Sequence, residues 1–93
     1  MTGMVRGTIA RRKRYVAVEV LFDEDGHMLP MAIRWDDGRR FVVDEVRDAR
    51  RAASLKTGGD GMRYTVRIGS KVTYLFFEDP RWFVEARTAY MLE

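Results

Sequence analysis

Ninety-three residues hold one domain with a small core, and a composition of 46% hydrophobic and 33% charged residues excludes a disordered chain. The absence of cysteine excludes disulfides, zinc–thiolate sites and thiol catalysis. The formal charge of +3 is too mild an excess to predict DNA binding by itself, and no apolar run is long enough for a transmembrane helix.

Residues 1–13 read as an N-terminal arm or edge strand. The basic run "ARRKR" ends this arm, and no signal-like apolar stretch follows it, so a cytoplasmic location is expected. Residues 14–90 read as a single small β-barrel-like domain, and 91–93 as a tail in which Leu92 and Glu93 match a cloning scar. Within the domain, "YVAVEVLF" at 15–22 sets Val16, Val18, Val20 and Phe22 on one face and Tyr15, Ala17, Glu19 and Leu21 on the other. β-branched residues at period two predict a strand. "DEDGH" at 23–27 predicts its turn.

"MLPMAIRWDDGRRFVVDEV" predicts a hairpin about Asp37-Gly38, with a return strand over about 39–46. Met31, Ile33 and Trp35 share a face, and Pro30 belongs at the start or edge of its strand. "RDARRAASLKTGGDG" at 47–61 reads as an ordered loop or a short helix, ended by its glycines. A second hairpin follows in "MRYTVRIGSKVTYLFFED", turning at Gly69-Ser70. Asp79-Pro80 makes the next turn, and "RWFVEARTAY" supplies a last strand and a tail.

The fold expected from this order is all-β: a small, strongly bent antiparallel barrel or roll, SH3-like in size, with five to six strands. Tight turns and short strands favour near closure, because open edges invite aggregation. Trp35, Val18 and Tyr74 are expected in the core. "YLFFEDPRWFVEA" is apolar on both strand faces. Residues near a sheet corner would explain that, and so would an oligomer interface formed by Phe77, Trp82 and Phe83.

No chemistry-bearing pattern stands out. His27 sits in an acidic turn without the alternating ligands of a calcium loop. Asp36, Asp37, Asp44, Glu45 and Asp48 are carboxylates of the kind common at turns. Ser54 and Lys56 lack the spacing of an acyl-transfer pair, and "KTGGDG" lacks the order of a phosphate loop. No enzyme, cofactor or metal is expected. Two binding classes remain. One is a protein-interaction or assembly module, including a homodimer. The other is weak, salt-sensitive nucleic-acid binding through Arg47, Arg50, Arg51, Lys56, Arg63 and Arg67, with bases stacking on an exposed Tyr15, Tyr64, Trp35 or Trp82.

Residues 15–87 resemble a small family of uncharacterised bacterial proteins of about this length, through "IRWDDGRRFVVDEV", "AASLKTGG" and "MRYTVRIGSKVTYLFFEDPRWFVEA". The resemblance implies a compact all-β domain and carries no site residue, cofactor or partner.

Overall fold

Val16, Val18 and Val20 alternate with Tyr15, Ala17 and Glu19, and this period of two builds β1 (Lys13–Phe22). The computed structural model describes residues 13–53 and 60–85. After β1 come β2 (Met28–Arg34), β3 (Arg40–Val42), β4 (Glu45–Ala53), β5 (Asp60–Ile68), β6 (Lys71–Glu78) and β7 (Arg81–Glu85). All pair antiparallel in one sheet of order β3-β2-β1-β7-β6-β5-β4. Two meanders are thus joined where β1 meets β7.

The sheet is strongly curled, and two consecutive amides show why. The Val43 N–H donates to the Met31 carbonyl at 2.9 Å, and the Asp44 N–H to the Arg67 carbonyl at 2.8 Å. Those acceptors belong to β2 and β5, four places apart in the sheet. In a flat sheet they would be roughly 19 Å apart. Adjacent residues can reach both only if the sheet bends into a half-barrel. The predicted strand at 39–46 is therefore two strands. It breaks at Val43 and Asp44, where the chain leaves one sheet edge and joins the other. That break helps to raise the count to seven, above the five to six expected.

The core fills the concave side: Ile33, Trp35, Val43, Tyr64, Val66, Leu75, Trp82 and Val84, with Val16, Val18 and Phe77 packed against them. Tyr74 is not part of it. It pairs with Thr65 on the opposite face and is 43% exposed, a correction to its expected place. Met31 also departs from its expected face. The β1–β2 register passes from Glu19↔Ala32 to Val20↔Pro30, so Met31 is bulged out to solvent. Pro30 lies beside this bulge, where β3 no longer runs alongside, so its missing N–H costs no ladder bond.

The stretch read as loop or helix is neither where it is described. Arg47 to Ala53 lie in β4, and Asp60 and Gly61 open β5. Alanine and arginine favour helix locally, but almost every position of β4 finds a partner on β5. The tight turns fall as expected: Gly38, at φ +93, donates to the Trp35 carbonyl between β2 and β3. The arm at 1–12 and the tail at 86–93 lie outside the described residues. Among the described residues, no helix is long and apolar enough to cross a membrane.

Candidate binding surface

The register decides which aromatic side chains face inward. On β6 and β7, Phe77 pairs with Trp82, and their rings meet at 4.9 Å on the concave side. Trp82 also packs on Tyr64 at 5.4 Å. Of the three expected interface residues, Trp82 thus belongs to the core cluster and Phe77 packs against it. Phe83, the third, alternates with Trp82 and faces outward.

On that outer side a row crosses five strands: Tyr15, Phe83, Phe76, Arg63 and Arg50 are successive cross-strand partners. Phe76 and Phe83 stack with centroids at 4.9 Å and planes 3° apart. Tyr15 meets Phe83 edge-on at 5.8 Å, and Tyr74 meets Phe76 at 6.3 Å. Offset and edge contacts are the arrangements that ring quadrupoles favour. Phe83 is only 8% exposed although it points away from the core, because its neighbours shield it. Tyr15 and Tyr74, at the ends of the cluster, are each 43% exposed.

Cations cover these rings. The Arg81 guanidinium lies 3.8 Å from the Tyr15 centroid, Arg63 lies 4.6 Å from Tyr74, and Lys13 Nζ lies 4.6 Å from Phe83. Lys13 is also paired with Glu78 at 3.1 Å. Among the described residues, no carboxylate lies within ion-pair distance of Arg63 or Arg81. The Arg63 Nε is buried without a hydrogen-bond acceptor.

The other arginines expected on a nucleic-acid surface are mostly neutralised by their own sheet. Arg47 pairs with Glu45 at 3.2 Å and Arg50 with Asp48 at 2.8 Å. Arg67 meets Glu45 at 3.3 Å and donates to the Gly69 carbonyl at 2.7 Å. Arg47, and then Arg67, hold the Glu45 carboxyl below its ordinary range. Arg51 pairs with Met62 in the row that alternates with Arg50, and Lys56 lies outside the described residues. Of the five that are described, Arg50 and Arg63 adjoin on the outer face, Arg67 shares that face beyond Thr65, and Arg51 belongs to the alternate row. Of the four rings expected for base stacking, only Tyr15 is exposed. Trp35, Tyr64 and Trp82 are buried.

The remaining polar groups act as staples. Asp23, Asp25 and His27 bring ligand-type atoms within 4.8 Å of one another. The Asp23 carboxylate is already engaged by the N–H groups of Asp25 and His27, at 2.9 and 2.8 Å, and by His27 Nδ1 at 3.1 Å. The His27 N–H is the chief cause of its lowered pKa. Asp36 holds Arg14 and Asp37 holds Arg39. Asp44 accepts the Gly69 N–H at 2.7 Å. Each of these carboxylates ties a turn or a strand end.

What sequence reasoning missed is the pairing of Tyr74, Phe76 and Tyr15 with Arg63 and Arg81. Its signal was present in the alternation of "YLFF" and "RWFV", but only the register shows which set faces out. Comparison with known proteins finds no matching family model, no similar curated protein and no similar solved structure.

Proposed function

We propose that this all-β domain is a non-enzymatic protein-interaction or assembly module, and that the outer face of β1, β7, β6 and β5 is its docking surface. The observation that carries this is the Phe76–Phe83 stack outside the core, flanked by Tyr15 under Arg81 and Tyr74 under Arg63. Tyrosine and arginine side chains around a shielded apolar centre have the composition of an interface hot spot. The two guanidiniums, with no carboxylate beside them among the described residues, suit a partner segment that brings acidic groups to either side of an apolar one. A cysteine-free chain of this kind suits the reducing cytoplasm. Its resemblance to the small bacterial family is compatible with such a role.

A second reading, single-stranded nucleic acid on the same face, has the rings and guanidiniums in its favour. The charge balance favours protein. Basic and acidic side chains nearly cancel over the described residues, so the +3 of the chain comes from residues outside them. Phosphate binding draws its affinity from uncompensated cations.

Displayed-peptide selection on the protein, counter-selected with a Tyr15→Ala/Tyr74→Ala variant, tests the protein reading. Enriched acidic–aromatic peptides should shift the amides of β1, β7, β6 and β5 in NMR spectra. Peptides that bind the variant equally well would refute this surface. Fluorescence anisotropy of a mixed single-stranded oligonucleotide, at low and then moderate salt, separates the two readings. Salt-sensitive binding lost in the same variant would assign the face to nucleic acid.

A further inference from the structure

We propose that the outer edge of β4 is an interface between two copies of this chain. The copies pair antiparallel about a two-fold axis at Ala49, and the pairing carries the outer faces of both into one continuous sheet.

β4 closes one side of the sheet with nine residues, whereas β3 closes the other with three. Among the described residues, no strand lies beyond β4. A long edge offers a row of main-chain donors and acceptors to an incoming strand. Edges that must stay unpaired are blunted by proline, bulges or charged side chains, lysine above all. β4 has no proline, and its bulge at Arg47 lies close to its first residues. From Asp48 to Ala53 the pairing is regular.

The charges in this regular part alternate in sign. Asp48 and Arg50 share the outer face, on either side of Ala49. A two-fold axis normal to an antiparallel sheet pairs residues that share a face. Centred on Ala49, it sets Asp48 opposite the second copy's Arg50, and Arg50 opposite the second copy's Asp48. Centred on Asp48 it would oppose carboxylate to carboxylate, and on Arg50 guanidinium to guanidinium. Charge therefore selects the Ala49 register. Ala49 is exposed, and its methyl group leaves room for its own copy at the axis. The same register brings Arg51 near the second copy's Arg47, whose charge is met by Glu45 at 3.2 Å. Asp48 and Arg50 are paired within the chain at 2.8 Å, so the two copies together form a four-charge network of alternating sign.

An axis normal to the sheet keeps both outer faces on the same side. The row from Tyr15 to Arg50 then continues into the second copy, and a docking partner meets two aromatic–arginine clusters. The dimer itself does not depend on what those clusters bind.

Sedimentation equilibrium on the full chain tests the interface. The unchanged protein should show twice the 10.9 kDa of the chain at high micromolar concentration. Asp48→Arg and Arg50→Asp should each weaken self-association by about tenfold or more, since each opposes like charges across the axis. An equimolar mixture of the two variants should restore it. One chain then offers two cations at positions 48 and 50 and the other two anions, so both of these contacts across the axis are again opposite in sign. A monomer at high micromolar concentration overturns the proposal without any variant. So does a mixture that associates no better than its components. The Tyr15→Ala/Tyr74→Ala variant should keep the dimer while losing peptide binding, which separates failure of the interface from failure of the docking face.

Discussion

Trp35 is 4% exposed, edge-on to Phe41 at 5.9 Å, with the Arg14 guanidinium 4.3 Å from its ring and Asp36 holding that guanidinium. It belongs to the core where β2 turns into β3. Trp35→Ala should cost about 3–5 kcal/mol in urea unfolding, the usual loss for a buried large aromatic. A loss under about 1 kcal/mol would contradict this packing. Tyr64 differs because its hydroxyl is also used: it donates to the Met28 carbonyl at 2.9 Å, and burial raises its pKa. Tyr64→Phe keeps the ring contact with Trp82 but removes a donor from a carbonyl in a partly buried bond. It should cost about 1–2 kcal/mol in the same assay. Tyr15→Ala and Tyr74→Ala truncate half-exposed rings outside the core, and each should change stability by less than about 1 kcal/mol. This contrast is the physical content of the facing assignment: similar residue types, opposite sides of the sheet.

β4 shows how an element is made by its neighbour. "EVRDARRAA" has modest strand propensity, yet it runs the full length of β5. Close approach at one point helps to hold this sheet region. A side chain added at Gly61 would place its Cβ 2.9 Å from the Phe77 carbonyl oxygen and 3.2 Å from that of Ala52. Both are backbone atoms on the flanking strands, so neither can swing away. Gly61→Ala should cost about 1–3 kcal/mol, the usual range for overpacking. Hydrogen exchange should show the lost protection first in β4, β5 and β6. Unchanged exchange there would mean that the strands separate without penalty.

At the scale of the whole molecule, ion pairs and turn bonds couple stability to pH. Glu19 is held below its ordinary pKa chiefly by the hydrogen bond from Arg40, and Asp37 by the Arg39 N–H. Asp23 and Glu45 are lowered by His27 and Arg47 in the same way. A group with a lowered folded pKa contributes its stability in full above its unfolded value, and loses it as pH falls through the folded value. Urea midpoints should therefore stay level from neutral pH down to about 5 and fall below about 4, the unfolded carboxylate range. These groups are exposed, so the fall should be gradual and smaller in high salt. A midpoint that rises on acidification would contradict this account.

Alternation of apolar residues, the turn pairs Asp37-Gly38 and Gly69-Ser70, and the lack of a long 3.6-residue period determined an all-β chain with Trp35 and Val18 in or against its core. These are local properties, read within a few residues. The tertiary structure decided the rest. Period two says which residues share a face, but not which face is concave, so Tyr74 and Phe83 could be assigned only once the curl was known. The break at Val43 and Asp44 and the strand character of β4 depend on β2 and β5, whose partnering is remote in sequence. The candidate surface joins β1 to β7, from opposite ends of the described chain, and no local pattern encodes that pairing. It arises because a curled sheet must bury its concave face and satisfy its edges together.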